Sequence, residues 1–235
     1  MTRPGGIILC GGQSRRMGRP KAWLPFGPEV LLQRVVRLLG EAAGPIVLVA
    51  AKGQHLPELP ESVVIVRDAI AERGPLQGLS AGLAALPKGV DLVYATATDT
   101  PFLCPAWIDR LVELIGMNDL AIPEMRGFLH PLAALYRVSI VLPAVQRLLA
   151  ADLLRPIYLL DEVRALKVTA DSMSEVDPEL ATLQNLNNPE DYQQALLKAG
   201  FETVSLSNHS IPDGGVPRDT DADKDRPFQR IRPRW

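Results

Sequence analysis

A glycine-rich, basic segment follows the first apolar run of the sequence. Residues 9–21 read LCGGQSRRMGRPK, and the preceding run is typical of a buried strand. Glycines at a strand end let main-chain N–H groups approach an anion closely. Clustered guanidinium and ammonium groups suit phosphate oxygens. The sequence therefore predicts a polyphosphate-binding loop, whose members would be Gly11, Gly12, Arg15, Arg16, Arg19 and Lys21.

The spacing of this loop differs from two common phosphate-binding motifs. Lys21 does not directly follow a glycine and no Ser or Thr comes after it, so the loop is not a P-loop. The segment also lacks the G-x-G-x-x-G pattern of dinucleotide-binding folds. A solvated surface loop is the other interpretation, because glycines and basic residues are common at surfaces. Four cations at one strand end favour phosphate binding.

An aspartate follows another apolar run. The strand predicted over Leu92–Ala97 is followed by Thr98, Asp99 and Thr100. Open α/β sheets bind ligands at the carboxyl ends of their strands, where Asp99 would lie near the glycine-rich loop. Since Mg²⁺ takes one or two carboxylates together with phosphate and water, we expect Asp99 to hold this metal. The alternative is that Asp99 or Thr100 only caps a turn.

Asp68 occupies the same kind of position, after the predicted strand Val63–Val66. Its carboxylate could contact the ribose or the base of a nucleotide. Gly78 and Gly82 follow in a segment where the start of a helix could press close to a nucleoside. Tight packing of that helix on the sheet explains these two glycines equally well, so both interpretations stay open.

The remaining histidine, asparagine and cysteine side chains are predicted to have structural roles when each is considered alone. Taken alone, His130 is interpreted as a structural histidine, and Asn185 and Asn187 as partners of main-chain groups. Cys10 and Cys104 are interpreted as small buried apolar residues. Because the sequence has no Cys/His cluster, it supports neither a zinc site nor a cysteine nucleophile.

Short apolar runs alternate with segments that have apolar residues at helical spacing. The runs are nearly continuous, which is typical of strands covered by helices on both faces of a mostly parallel sheet. The sequence therefore predicts an α/β fold over about residues 5–200. Its predicted strands are Gly6–Cys10, Ile46–Ala51, Val63–Val66, Leu92–Ala97, Leu120–Ile122 and Ala133–Tyr136.

A helix signal and a change in composition predict where the domain ends. Asn188 can cap a helix that has Pro189 in its first turn and stops near Gly200. From residue 205 onward Ser, Asn, Asp, Pro, Gly and Arg dominate, without a periodic apolar face. We expect one domain over residues 1–204 and a disordered or loosely docked tail over residues 205–235.

The composition excludes several classes of protein. The 235 residues are 47% hydrophobic and 22% charged, as in globular chains. Lys and Arg number 25 against 27 Asp and Glu, so no overall positive charge recruits nucleic acid. No stretch reaches the ~20 apolar residues of a membrane span, and the first residues are not a signal peptide. With only two cysteines, we expect a cytoplasmic protein that binds neither nucleic acid nor membranes.

Five segments, in order, resemble motifs of the molybdenum cofactor guanylyltransferase family. Residues 9–18 are similar to its L-A-G-G-x-S-x-R-M-G signature, and Lys21 matches the lysine that follows. Asp68 with residues 74–78 is similar to its D-x(n)-G-P-L-x-G block. The other three matches are residues 98–103 to C-D-[TM]-P-F-L, 130–136 to Q-P-L-x-x-L-Y, and 185–191 to N-x-N-T-P-E-D. The resemblance covers about residues 5–198.

This resemblance implies a fold and an activity. The fold would be a three-layer α/β/α arrangement with a Rossmann-like, mostly parallel sheet, of the nucleotide-diphospho-sugar transferase type. The activity would be transfer of GMP from GTP to the phosphate of molybdopterin, with release of pyrophosphate and with Mg²⁺ as cofactor. Proteins that deliver the molybdenum cofactor are candidate partners.

The same resemblance implies roles for individual residues. Asn185 and Asn187 would lie toward the pterin acceptor, and Asp99 would contact both GTP and the metal. The catalytic set would be Lys21, Arg16 and Asp99. The nucleotide-binding set would be Leu9, Cys10, Gly11, Gly12, Lys21, Asp68, Gly78 and Asp99.

Three other functions compete with this interpretation. Residues 19–25 also resemble related cytidylyltransferases, so the alternative is a cytidylyltransferase or another NTP transferase with a different phosphorylated acceptor. A nucleotide sensor without turnover is disfavoured because both Lys21 and Asp99 are present. A protein-interaction scaffold would need an apolar surface that a sequence does not display.

Overall fold

One sheet forms the centre of the protein. The computed structural model describes residues 3–11, 17, 19–68 and 73–203. The strands in this part of the chain are β1 (Gly5–Leu9), β2 (Pro25–Phe26), β3 (Glu29–Val30), β4 (Ile46–Ala51), β5 (Val63–Asp68), β6 (Leu92–Ala97), β7 (Leu120–Met125), β8 (Phe128–Leu129), β9 (Ala134–Arg137) and β10 (Ala165–Val168).

Helices connect most of these strands. They are α1 (Leu31–Ala42), α2 (Gly74–Ala85), α3 (Pro105–Ile115), α4 (Val138–Ala150), α5 (Leu159–Glu162), α6 (Ala170–Met173) and α7 (Pro189–Lys198). Short 3₁₀ turns cover Lys21–Trp23, Pro131–Ala133, Pro156–Tyr158 and Ala181–Leu183. Among the described residues, no helix is both long and apolar enough to cross a membrane.

The strands of the main sheet lie in the order β10, β7, β9, β6, β1, β4, β5. The pairs β6–β1, β1–β4 and β4–β5 are parallel, whereas β9 runs antiparallel to both β6 and β7. The short β8 pairs with β7, and β2 and β3 form a separate hairpin. Four neighbouring strands, β5, β4, β1 and β6, therefore end at the same edge of the sheet.

Helices cover both faces of the sheet, as the continuous apolar runs predict. Successive residues of a strand point to opposite faces. In β1, Ile7 packs in the core layer that contains α2 and α4, and Ile8 packs in the layer that contains α1 and α3. Both side chains are fully buried. The three-layer α/β/α arrangement with a mostly parallel sheet is confirmed.

The predicted elements agree with the structure except at some ends. The strands predicted over 46–51 and 92–97 are observed at those residues, and β1 begins and ends one residue earlier than predicted. The prediction for β7 is too short, because the strand continues through Pro123 to Met125. Asn188 caps α7 by accepting a hydrogen bond from the Asp191 N–H at 2.7 Å. The predicted tail, residues 205–235, lies outside the described residues.

Gly82 lets α2 approach the central strand closely. A Cβ at Gly82 would lie 2.8 Å from Cγ2 of Ile7, and Ile7 is β-branched and fully buried. Such a contact is shorter than van der Waals packing allows, so the helix or the strand would have to move. The interpretation of this glycine as a packing residue is therefore supported by the structure.

Replacing Gly82 by alanine should destabilise the fold. Overpacking a core costs about 1–3 kcal/mol, which exceeds the ~0.5–1 kcal/mol that alanine gains over glycine inside a helix. We expect urea unfolding to show a lower free energy of unfolding for Gly82→Ala. Gly40→Ala in α1 is the matched control, since its Cβ would meet nothing closer than 3.8 Å. Equal or higher stability of Gly82→Ala would contradict the packing argument.

Candidate active site

The carboxyl ends of β1 and β6 are joined by Thr98. Its main-chain N–H donates to the carbonyl oxygen of Leu9 at 3.1 Å, and its Oγ1 donates to the same oxygen at 3.3 Å. Thr98 is buried, so both bonds are shielded from water. The next residue, Asp99, is thereby placed beside the start of the glycine-rich loop.

Lys21 and Asp99 meet across this edge of the sheet. The Nζ of Lys21 lies 2.7 Å from Oδ2 of Asp99. Lys21 begins a 3₁₀ turn whose next residue, Ala22, is buried in the core and fixes the turn to the domain. The two side chains are 23% and 17% exposed, so both remain within reach of a ligand. The structure thus brings together the two predicted catalytic residues that it describes.

The loop that carries Asp99 is fixed by three other contacts. Thr100 donates its hydroxyl to the carbonyl oxygen of Ala97 at 2.9 Å. Arg34 donates through Nε to the carbonyl oxygen of Pro101 at 2.7 Å. The capping role proposed for this loop therefore falls to Thr100, while the Asp99 carboxylate faces Lys21.

The third contact links this loop to the predicted acceptor-binding segment. The main-chain N–H of Leu186 donates to the carbonyl oxygen of Asp99 at 3.0 Å, and the Leu186 side chain is buried. Asn185 and Asn187 flank this anchor, and both are exposed. Asn187 Nδ2 donates to the carbonyl oxygen of Asn185 at 3.4 Å. The structure therefore places the two asparagines next to Asp99, and their contact with an acceptor stays a prediction.

Cys10 and Gln54 meet where β1 and β4 end. The N–H of Cys10 donates to the carbonyl oxygen of Val49 at 2.8 Å, which continues the pairing of the two strands. Nε2 of Gln54 donates to Cys10 Sγ at 3.3 Å. Burial raises the pKa of the Cys10 thiol, while hydrogen bonds from Thr98 and Gln54 act in the opposite direction. A buried, protonated thiol is a poor nucleophile, in agreement with the sequence interpretation of Cys10.

Asp68 lies at the end of β5, paired in register with Ala51 at the end of β4. It is half-buried at the same edge as Leu9, Cys10 and Gly11. Gly78 is buried, and a Cβ there would lie 3.2 Å from Cδ2 of Leu9. This contact gives Gly78 a packing role between α2 and β1. The nucleotide contacts of Asp68 and Gly78 stay predictions.

The donor set at this edge fits a metal that arrives with a nucleotide. Across residues 3–11, 17, 19–68 and 73–203, no cluster of three or more His, Cys, Asp or Glu side chains could hold a metal ion. Mg²⁺ in nucleotide sites needs only one or two carboxylates, because phosphate and water complete its octahedron. Asp99 meets that requirement, whereas a resident metal held by protein alone does not fit these residues.

Some predicted site residues are not described by the structure, and some residues that contact the site were not predicted. Gly12, Arg15 and Arg16 lie outside the described residues, so their predicted roles stay predictions. No residue pattern in the sequence assigns a role to Gln54 or Arg34, although both contact the site. Only the contact of Gln54 with Cys10, 44 positions away, indicates its importance, and no sequence motif signals it.

His130 lies between β8 and β9, where its main-chain N–H donates to the carbonyl oxygen of Pro123 at 2.9 Å. Its side chain is half-buried, and this burial lowers the pKa of the imidazole below its ordinary value of 6.5. These contacts agree with the interpretation of His130 as a structural histidine.

Comparison with known proteins identifies the family. Residues 6–165 match the model of the MobA-like NTP transferase domain. A probable molybdenum cofactor guanylyltransferase of Mycobacterium avium is 40% identical over 190 residues, which cover 79% of this chain and 91% of the relative. This chain belongs to the MobA-like NTP transferase family. A Mycobacterium tuberculosis protein of the same description is 38% identical over 172 residues, covering 71% of this chain and 84% of the relative.

Solved structures agree on the fold of this MobA-like chain. Molybdopterin-guanine dinucleotide biosynthesis protein A from Archaeoglobus fulgidus has a TM-score of 0.69 at 20% identity, covering 83% of this chain and 98% of that one. A 4-diphosphocytidyl-2C-methyl-D-erythritol synthase from Anaerococcus prevotii has a TM-score of 0.61 at 12% identity, covering 83% and 97%. At these identities the likeness shows the nucleotidyltransferase type of fold alone.

Gly11 gives a test of the site that is separate from folding. It is exposed, and a Cβ there would meet nothing within 4 Å among the described residues. We expect Gly11→Ala to leave thermal unfolding unchanged and to weaken binding of nucleoside triphosphate about tenfold, since the methyl group occupies the surface that phosphate would approach. Isothermal titration calorimetry measures the affinity. Unchanged affinity would exclude close contact at Gly11.

The shifted pKa of His130 predicts a pH dependence of stability. Because the folded state favours neutral imidazole, the unfolded state takes up the proton first as the pH falls through about 6.5. Stability should therefore decrease between pH 7 and the lower folded-state pKa, and His130→Gln should flatten this decrease. Urea unfolding at several pH values measures it. The control is His55→Gln at an exposed histidine, and an identical slope in all three proteins would contradict the assignment.

Proposed function

We propose that the protein transfers GMP from GTP to the phosphate of molybdopterin and releases pyrophosphate. The observation that carries this proposal is the approach of Lys21 Nζ to Asp99 Oδ2 at 2.7 Å, in a chain that belongs to a nucleotidyltransferase family. A cation and a carboxylate at one strand edge match the needs of a triphosphate and its metal. The names of the mycobacterial relatives support guanine as the base.

The chemistry needs little from the protein beyond position and charge. An oxygen of the acceptor phosphate attacks the α-phosphorus of GTP, and the bond from that phosphorus to the bridging oxygen breaks. Pyrophosphate leaves with the electron pair. Because the attacking phosphate is already anionic, no general base is required, and positioning and electrostatic stabilisation supply most of the rate enhancement.

Lys21 is the described residue best placed to stabilise the leaving group. Its ammonium is partly exposed, so it can donate to phosphate oxygens when a nucleotide binds. We propose that Arg16, together with Arg15, adds further positive charge for the departing pyrophosphate. Guanidinium groups suit this role because they bind paired oxygens.

Asp99 is proposed to hold Mg²⁺ as its single carboxylate ligand. When bound, this ion would neutralise charge on the phosphate oxygens. The main chain at Asp99 is held by the N–H of Thr98, which donates to the carbonyl oxygen of Leu9, and by the N–H of Leu186, which donates to the carbonyl oxygen of Asp99.

The acceptor is proposed to bind beside Asn185 and Asn187. These exposed amides flank Leu186, whose main chain contacts Asp99, so an acceptor bound there would lie next to the nucleotide. We propose that the reaction takes place in the cytoplasm, which the two free cysteines support. Proteins that deliver the molybdenum cofactor are proposed as partners. No observation favours the cytidylyltransferase alternative.

Removing either charged partner should slow turnover strongly. We expect Lys21→Ala and Asp99→Asn to lower kcat about 10²-fold or more, because each removes stabilisation of charge that develops in the transition state. Pyrophosphate release with GTP, Mg²⁺ and molybdopterin measures the rate, and CTP in place of GTP tests the base.

Arg147→Ala is the matched control for these variants. Arg147 forms a 2.8 Å ion pair with Glu162, and its side chain is 61% exposed. Its loss should leave kcat unchanged. Rates within a few-fold of wild type for both site variants, with cooperative thermal unfolding retained, would refute the assigned roles.

A further inference from the structure

The side-chain amide of Gln54 is held from two sides at the ends of β1 and β4. Its Oε1 accepts the main-chain N–H of Ala51 at 3.0 Å, and its Nε2 donates to Cys10 Sγ at 3.3 Å. The turn that carries it is also fixed, because Arg67 Nη1 donates to the carbonyl oxygen of Gln54 at 2.7 Å. The amide is therefore an ordered part of the strand edge.

Gln54 lies on the far side of β1 from the Lys21–Asp99 pair. Asp99 follows β6 and Gln54 follows β4, with β1 between these strands. Neighbouring strands are ~4.8 Å apart, so the two residues are separated by about 10 Å along the edge. This inference rests on the proposed function, in which Lys21 and Asp99 hold the phosphates. A nucleotide held there and directed along the edge would bring its base toward Gln54.

The amide keeps hydrogen-bonding capacity for a ligand. A glutamine side chain has two N–H donors and two acceptor lone pairs. Among the described residues, the hydrogen bonds to Ala51 and Cys10 use one of each. One donor and one acceptor therefore remain on a half-buried side chain. This pair matches a planar edge that offers one acceptor next to one donor.

The main chain of Ala51 sets which way the amide faces. Its N–H is a donor and requires an acceptor, so Oε1 must point toward it. Rotating the amide by half a turn would place an NH₂ group against that N–H and leave two donors facing each other. Because an unmade hydrogen bond of a partly buried group is costly, this contact favours one orientation of the amide.

We propose that Gln54 determines base specificity by binding the edge of a purine that presents a ring N–H beside a carbonyl. Guanine offers this edge: its N1–H would donate to Oε1, and Nε2 would donate to its O6. Adenine offers the reverse pattern, an acceptor nitrogen beside an amine. Against the fixed amide, the adenine amine would face Nε2, which is also a donor, and the adenine ring nitrogen would face Oε1, which is also an acceptor. Gln54 is thus a specificity-determining residue of the strand edge.

Calorimetric titration of the full chain with GTP, ITP and ATP in the presence of Mg²⁺ tests this proposal. Inosine keeps the N–H and carbonyl of guanine and lacks its exocyclic amine. Wild type should bind GTP and ITP alike and ATP about 10- to 100-fold more weakly. Gln54→Ala should weaken GTP and ITP by the same factor, about 10- to 100-fold, and leave ATP unchanged, so that the preference is lost.

Two further variants make the test specific. Gln54→Glu keeps the acceptor and replaces the donor, so it should also lose affinity for GTP. Gln194→Ala, at an exposed glutamine of α7, is the matched control and should bind like wild type. If Gln54→Ala loses its cooperative thermal transition, Gln54→Met, of similar length, takes its place.

The outcomes separate this inference from the proposed function. An unchanged GTP-to-ATP ratio in the Gln54 variants, or an equal loss for both nucleotides, would overturn the role of Gln54 and leave the proposed function standing. If wild type binds no GTP in the presence of Mg²⁺, the proposed function fails and this inference fails with it. A collapse of the ratio in Gln54→Ala, with the control unchanged, supports the inference.

Discussion

The candidate site depends on the pairing of β1 with β6. Thr98 continues that pairing by bonding twice to the carbonyl oxygen of Leu9, so the residues that follow the two strands leave the sheet side by side. A shift of register by one residue would turn every side chain of a strand to the opposite face. Gly6 opposes such a shift, because a side chain brought to its position would meet the buried Leu39, 2.7 Å from where a Cβ would lie. The position of Asp99 is therefore a consequence of core packing.

The ion pair of Lys21 and Asp99 contributes little to holding the fold together. Both side chains are partly exposed, and pairs of this kind add about 1 kcal/mol or less. The surrounding structure instead holds the two charges in place, through buried Ala22 on one side and the main-chain bonds of the Asp99 loop on the other. A ligand can therefore replace the contact between Lys21 and Asp99 at a low cost in free energy, because that contact stabilises the fold only weakly.

Much of the fold could be predicted from the sequence, because its strands are short continuous apolar runs and its last helix has a clear cap at Asn188. The exceptions have local causes. Proline normally argues against a central strand, yet β7 passes through Pro123, whose carbonyl oxygen still accepts the N–H of His130. The antiparallel direction of β9 could not be predicted from residue types, since direction is set by the path of the chain between strands.

The approach of Lys21 to Asp99 was predictable, because both residues lie in segments that follow strands ending at the same edge of the sheet. It was not predictable where a residue acts through distant contacts. Gln54 is one example, because its amide is oriented by the main chain of Ala51 and the thiol of Cys10. From the sequence, nucleotide contact and helix packing explain Gly78 equally well. Its close approach to Leu9 in the structure supports helix packing.

The hydrogen bond between Leu186 and Asp99 can form only late in the synthesis of the protein. The two residues are far apart in the chain, and the N–H that fixes the Asp99 carbonyl belongs to one of the last elements of the domain. A ribosome must therefore synthesise nearly the whole domain before this contact can form. An incomplete nascent chain can assemble its central strands while the loop that carries Asp99 still lacks its final support.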